Sequence, residues 1–412
     1  MADTGERRVG RNVVALGAVS MLTDASSEMV YWILPLFLTQ VLRAPVAIVG
    51  VIESVAEATA SLTKVLSGAL SDHLGRRKPL VVAGYGLSNI AKPFLALAAG
   101  WPTVLALRFA DRLGKGVRTA PRDALIADSS DPKHRGRAFG LHRALDTFGA
   151  AVGPLIAWAI LALRPGAFTT VFWASAIPGT IAILLAVFVV REVRHGAARR
   201  AGEGAPRLSV RGLGRPLAVF TLLSAVFALG NSSDAMLMLR AHDLGAPTAL
   251  VPLMGAGFSL VGALLAVPAG VLSDRFGRRP VLAVGFALYA VVYTGFGFGG
   301  SAWSAALLFL AYGVPYAMVE GLARAYVIDL AGPGRRATAV GAYTFVLGLA
   351  AIPASTVAGL LWDTVSHGAP FFVSAGLMLV ATLGLAVSPT LRRTGPPNGV
   401  IRMQESSGAR GM

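Results

Sequence analysis

Twelve apolar stretches of about 20 residues or more constrain this chain more than any other feature. They run at 12–40, 46–71, 79–100, 102–127, 136–163, 168–190, 213–239, 246–272, 280–299, 301–330, 337–362 and 369–390. At 1.5 Å of rise per residue, each can cross ~30 Å of hydrocarbon. Hydrocarbon offers the backbone no water, and the helix is the open-ended spanning structure that satisfies its own donors and acceptors. The spacing therefore predicts an all-α membrane protein of 12 transmembrane helices. Composition agrees: 14% of residues are charged and mean hydropathy is +0.65, whereas a soluble domain is about 25% charged.

The net charge of +16 raises the question of an acidic partner, so its placement matters more than its sum. Most of the 37 Lys and Arg lie in the N-terminal tail, the connections after even-numbered spans and the C-terminal tail. The opposite connections carry Arg43, Arg164 and Arg240. That bias predicts cytoplasmic termini and a multi-pass protein of the inner membrane. Topology accounts for the basicity, and no nucleic-acid partner is expected. Cysteine is absent, so disulfides and cysteine-ligated metals are not expected either. The first span is too long for a signal-peptide core and carries two acids, so we expect it to be retained.

The segment 191–215 carries seven arginines with Gly, Ala and Pro, the composition of a solvated linker. It divides the chain into an N-terminal bundle (1–190), a basic linker (191–212), a C-terminal bundle (213–390) and a tail (391–412). The two sides match. GALSDHLGRRKPLVVAGYGL from Gly68 aligns with GVLSDRFGRRPVLAVGFAL from Gly270. Asp128 and Arg135 after the fourth span recur as Asp329 and Arg336 after the tenth. Ser26, Ser27 and Glu28 have a weaker echo in Ser232, Ser233 and Asp234. Three echoes in one order predict two six-helix bundles, an arrangement that places a substrate site at the midplane between them.

The loop from Gly68 to Arg77 resembles the signature G-x-L-a-D-r-x-G-r-[KR] of the major facilitator superfamily, with a second copy from Gly270. Arg112 and Gly116 are similar to the R-x-x-q-G pattern of the fourth helix, with Lys115 at the glutamine. Gly149, Gly153 and Pro154 resemble the fifth-helix motif of proton-coupled antiporters, although Ile156 and Ala157 stand where its last two glycines belong. The resemblance covers residues 12–390. It implies pseudo-two-fold related bundles, alternating access in a monomer, and gating loops built from Gly68, Asp72, Gly75, Arg76, Arg77 and Asp128, repeated as Gly270, Asp274, Gly277, Arg278 and Asp329. In that reading Gly68 allows close helix approach, Gly75 permits the turn, Asp72 faces a helix N-terminus and Arg76 reaches Asp128. The arginines also serve the positive-inside bias alone.

Charges inside the spans are unevenly shared. The N-terminal half holds Asp24, Glu28, Glu53, Glu57, Asp111, Asp123 and Asp146 against Lys64, Lys92, Arg108, Arg112, Lys115, Arg118, Arg122 and Arg143. The C-terminal half holds Asp234, Glu320 and Arg324. A charge at the bilayer centre costs on the order of 3 kcal/mol or more, so each of these must be paired, hydrated or functional. Asp24 and Glu28, like Glu53 and Glu57, are four apart and share a helix face. Asp111, Lys115, Arg118 and Arg122 form one stripe. A water-filled cavity lined by the first, second and fourth spans follows. One use is proton coupling, with Asp24, Glu28 or Glu57 as carrier and Arg112 as the modulating base. Static ion pairing that fixes helix packing is the alternative. A third use is binding an anionic or zwitterionic solute on the fourth-span bases, against a softer wall of Tyr312, Tyr316, Asn231 and Met254. Met236, Met238 and His242 are apolar filler or, less simply, a soft-metal relay; no metal site is expected.

The chain carries no P-loop, zinc-ligand pair or nucleophile elbow. We therefore expect a transporter rather than an enzyme, needing no cofactor and driven by an ion gradient. Its partners would be a small-molecule substrate, protons and the lipid bilayer. Proton-driven efflux is the preferred direction, uptake of an anionic or zwitterionic solute the alternative, and a non-transporting sensor or lipid-binding protein the remaining one.

Overall fold

The computed structural model describes residues 10–131, 135–193, 214–331 and 336–392. Most of the expected linker and tail, and the side chains of Asp72 and Arg336, lie outside the described residues. All regular structure among the described residues is helical. The N-terminal half contains α1 (Arg11–Val41), α2 (Val46–Leu74), α3 (Lys78–Leu97), α4 (Trp101–Asp128), α5 (Arg135–Leu163) and α6 (Phe168–Phe188). The C-terminal half contains α7 (Arg215–Asp243), α8 (Leu250–Phe276), α9 (Arg278–Phe298), α10 (Ala302–Ala331), α11 (Arg336–Thr364) and α12 (Ala369–Val387). By length and composition eleven helices qualify to cross a membrane. The twelfth is α4, 28 residues long, whose buried charges spoil its hydropathy rather than its span. The chain is an all-α protein of two six-helix bundles, as expected.

Both described ends lie on the face that also carries the Gly75 and Gly277 loops, the basic end. Prolines set the breaks. Pro35 removes a backbone donor and crowds the carbonyl four residues back, and α1 opens at Trp32 and Ile33. Pro178 does the same to α6, which is interrupted at Ser175. α3 turns to a 3-10 segment at Pro93–Leu97. α7 breaks after Gly230 and restarts at Asp234, with the Ser233 hydroxyl accepting from Ala235 N at 3.2 Å.

The bundles meet tightly away from the basic end. A Cβ on Gly50 would strike the Ser355 carbonyl, and one on Gly359 would strike Val46 O and Ala47. The Ser54 hydroxyl reaches Ile352 O at 2.8 Å, and Asp363 accepts from Val46 N and Ala47 N at 3.2 and 2.8 Å. Trp32 of α1 packs on Phe258 and Phe309 with centroids 6.3 and 6.2 Å away. One hydrophobic core joins both halves here, while Val13, Leu16, Val81, Tyr85 and Leu125 form a separate N-terminal cluster. Mid-span Glu57, Lys115, Arg143, Glu320 and Arg324 are exposed. Charged groups at that depth belong in water, so the space between the halves opens toward the basic end.

The gating loops need two corrections. Gly68 is not a close-approach glycine in this state: a Cβ there would meet only Ala120 Cβ at 3.4 Å, and Gly270 faces open space. The halves are apart at this end, which removes the crowding. Nor does Arg76 reach Asp128; Arg77 does, at 2.9 Å, while Arg76 is exposed. In the second half Arg278 pairs with Asp329 at 3.1 Å, and Asp274 is exposed. Gly75 does take the left-handed turn, with φ +61°.

The absence of native cysteine makes the seam easy to probe. We expect a cysteine at buried Ser54 to be unreactive toward a membrane-impermeant maleimide. Gly50→Val should wedge α2 from α11 and expose it; unchanged labelling would mean the seam is not the closing contact.

Candidate functional site

The mid-span charges separate into a sealed network, a polar interior cluster and a cavity face. The network centres on Arg108 of α4, 4% exposed. Its Nη2 donates to both Glu53 oxygens of α2 at 3.1 Å, and its Nη1 lies 3.4 Å from Asp111 Oδ2. Asp111 also accepts from Ser88 Oγ at 2.5 Å and has Arg112 Nε at 3.8 Å. α4 can lie this close to α3 because Gly84 and Gly114 leave no room for a Cβ. Two carboxylates against two guanidiniums satisfy the requirement that buried charge be compensated.

Lys92 is 2% exposed, with its amine on Ser27 Oγ (2.8 Å), Asn89 Oδ1 (2.8 Å) and Ser26 Oγ (3.2 Å). Toward the basic end, Arg122 pairs with Asp123 at 2.9 Å and donates to Ser20 Oγ at 3.0 Å. Ser20 in turn donates to Asp146 Oδ1 at 2.7 Å. Arg118 stacks over Tyr85, 4.4 Å from the ring centroid.

The predicted α4 stripe does not line one wall. Asp111 and Arg118 are buried inside the N-terminal bundle, Arg122 is half-buried, and Lys115 is exposed to the opening. Across from it Glu57 is exposed on α2. Glu28 is half-buried, accepts from the Trp32 indole at 2.9 Å and faces Lys115 and Arg112. On the other side, Tyr316 faces Arg143, Glu320 and Arg324; the last two pair at 2.5 Å. Glu28, Glu57, Arg112, Lys115, Tyr316, Glu320 and Arg324 thus share the opening, whereas Glu53, Asp111, Arg118 and Arg122 belong to the N-terminal interior. Met236 and Met238 are core, and His242 Nδ1 contacts Ala246 O at 2.9 Å. These are packing positions.

Asp234 links the halves. It accepts from Tyr312 at 2.9 Å within its own half and from Tyr31 of α1 at 3.3 Å. Arg108 lies 5.6 Å from the Tyr31 ring centroid. A chain therefore runs from Glu53 through Arg108 and Tyr31 to Asp234, where the breaks of α1 and α7 meet. Sequence reading singled out Asp234 but not Tyr31 as its partner across the halves; the one signal was an aromatic pair shortly before Pro35. The fifth-helix glycines are also placed: a Cβ on Gly149 would strike Met21 O, and one on Gly153 would strike Ala25 O, so α5 lies directly on α1.

The family model for the Major Facilitator Superfamily matches residues 16–240 and 219–409. The chain belongs to that superfamily. It is 35% identical over 393 residues to an uncharacterised MFS-type transporter of Methanocaldococcus jannaschii, covering 92% of this chain and 96% of the relative. A partial likeness, 27% over 176 residues, reaches the multidrug resistance protein MdtL of Shigella flexneri, covering 42% and 44% of the two chains. In fold it resembles a POT family transporter crystallised with 5-aminolevulinic acid, with a TM-score of 0.79 at 13% identity, covering 95% and 98%. These relatives are transporters and not enzymes, and membership makes this chain a multi-pass membrane transporter of a small molecule.

Two outcomes follow from the geometry. Arg108→Ala leaves Glu53 without its cation and Asp111 with Arg112 alone at 3.8 Å, and should destabilise the fold by about 3–5 kcal/mol, read as thermal unfolding in detergent. Tyr31→Phe removes one hydrogen bond across the halves, about 1 kcal/mol, and should raise labelling of the Ser54 cysteine with little loss of stability.

Proposed function

We propose that the protein is a secondary active transporter that exports a small organic molecule in exchange for protons. The observation that carries this reading is Glu28: a mid-span carboxylate facing the opening, held by one indole and approached by Arg112 and Lys115. Such a group can take a proton in one state and lose it when a base draws near in the other. Asp24 and Glu57 are the other candidate carriers, and Arg112 is the modulating base. The partial likeness to a multidrug resistance protein and the α5 glycines support efflux.

The working unit in this proposal is a monomer of the inner membrane, with 1–190 and 213–390 as rocking bundles, 191–212 as their linker and 391–412 as a tail. The basic end faces the cytoplasm, so the state seen here is open inward. The Arg77–Asp128 and Arg278–Asp329 pairs anchor each gating loop to its own bundle. Asp72, Asp274 and the loop glycines are the candidate parts of the latch that forms when this end closes. Alternating access then consists of breaking the α2–α11 seam and the Tyr31–Asp234 bond while closing the loops. Exposure of Lys115 beside Arg112 favours one second reading, symport of an anionic or zwitterionic solute.

Proton flux in proteoliposomes, screened against diverse compounds under an imposed pH gradient, tests both. Compound movement opposite to protons supports efflux; movement with protons supports uptake; no proton movement with a transported compound overturns coupling. Glu28→Gln should abolish compound-driven proton flux while the protein remains folded, and an undiminished flux would return Glu28 to a packing role.

A further inference from the structure

We propose that Asp234 and the tyrosines around it form a binding site for an organic cation, an amine or quaternary ammonium that carries an apolar body. As the substrate site of an exporter it rests on the transport reading above; as a binding site it does not.

The site is made by the break in α7. The helix stops after Gly230 and restarts at Asp234, which stands a carboxylate inside a span, where charge must be compensated. Its compensation is neutral. Oδ1 accepts from the Tyr312 hydroxyl at 2.9 Å and Oδ2 from the Tyr31 hydroxyl at 3.3 Å. One donor on each oxygen is how an ionised carboxylate is held. Among the described residues no Lys, Arg or His pairs with Asp234. Arg108 sits 5.6 Å from the Tyr31 ring centroid, but its guanidinium is bonded to Glu53 at 3.1 Å and lies 3.4 Å from Asp111. The restarted helix adds only the partial charge of its N-terminus. Asp234 is therefore supplied with dipoles and lacks a full positive charge.

Its surroundings favour a cation with an apolar body. Tyr312 packs against Phe258 and Tyr289 with centroids 4.9 and 5.3 Å away, and Tyr316 lies 5.0 Å from Phe258. Aromatic faces attract ammonium groups, more strongly where water is excluded. Access is stepped along α10. Tyr312, Tyr316 and Glu320 are four apart on one face and are buried, half-buried and exposed in turn, so they lead from the opening toward Asp234. Asp234 and Tyr31 are themselves half-buried, which leaves the carboxylate an accessible edge. Arg324, the mid-span base of this half, is already paired with Glu320 at 2.5 Å. The repeat gives the contrast. Glu28, the counterpart of Asp234 in the echo of Ser26, Ser27 and Glu28, shares the opening with Arg112 and Lys115, bases that repel a bound cation. The Tyr31 bond is the longer of the two on Asp234 and crosses the halves. A cation that takes its place removes one link of the closed face, so binding loosens the seam.

Equilibrium binding of tetraphenylphosphonium to the full-length protein in detergent, with no pH gradient, tests this, with benzoate as the anionic control. The cation should bind saturably, and benzoate should not displace it. Asp234→Asn should weaken binding tenfold or more, and Asp234→Glu, which restores the charge, should recover most of that loss. In the protein carrying a cysteine at Ser54, the bound cation should raise maleimide labelling. That reading leaves Asp234 intact, so it holds even if a variant does not fold. Absence of saturable binding, displacement by benzoate, equal binding to Asp234→Asn, or labelling that the cation leaves unmoved overturns the proposal. Binding through Asp234 in a protein that never moves protons supports the site and overturns coupling. Proton-coupled flux of other compounds in a protein that does not bind the cation overturns the site and leaves coupling standing.

Discussion

The contact on which the rest of this structure depends is the backbone approach of α2 to α11. At Gly50 and Gly359 there is no room for a single methyl group, and that intimacy closes one end of the molecule. Because the halves are rigid bundles, sealing one end opens the other, and the exposed charges on α2, α4, α5 and α10 lie on the open side for that reason. The seal is built from small residues and a few bonds: Ser54 to Ile352, Asp363 to the start of α2, Tyr31 to Asp234. Tight van der Waals packing in lipid needs no hydrophobic driving force. A modest set of hydrogen bonds, each about 1 kcal/mol, can therefore hold the closed face without locking it.

The two bundles divide the chemistry unequally. The N-terminal bundle compensates part of its buried charge in pairs, Arg108 with Glu53 and Asp111 and Arg122 with Asp123. The C-terminal bundle answers with packed aromatics, Phe227 stacked on Phe286 at 4.0 Å and Tyr289 edge-on to Tyr312 at 5.3 Å. Asp234 and Asp363 are the C-terminal carboxylates drawn into the boundary, on Tyr31 and on the start of α2.

Most of the fold was legible in the sequence because membrane physics writes it in a simple code. Apolar length gave the spans, the loop arginines gave the orientation proposed above, and the Gly68 and Gly270 copies gave the two halves. The charged helix α4 was legible only by its length, since hydropathy alone passes over it. Site residues were legible as types, not as partners. That Lys115 faces water while Arg118 stacks on Tyr85 is decided by which neighbour each turn of α4 meets, and sequence spacing places both on one stripe. Asp146 was visible as one acid among seven; only the glycine seam shows that it lies on α1.

The gating loops show how such an error arises and how geometry repairs it. Aligned from their first glycines, Arg76 matches Arg278. Aligned from the prolines that open α3 and α9, Arg77 matches Arg278 and Lys78 matches Arg279. The contacts follow the prolines: Arg77 and Arg278 bind Asp128 and Asp329, while Lys78 and Arg279 bind carbonyls at the ends of α6 and α12, Val187 at 2.7 Å and Leu385 at 2.8 Å. Cations suit helix C-termini, so this second pair of bonds is part of the repeat. The first copy carries one extra residue, absorbed at Gly75 with φ +61° and ψ 12°, where Gly277 takes φ +88° and ψ 149°. What duplication preserved is the start of a helix and the acid it holds, and the surplus residue left Arg76 free at the basic end of the N-terminal half, with no counterpart in the other.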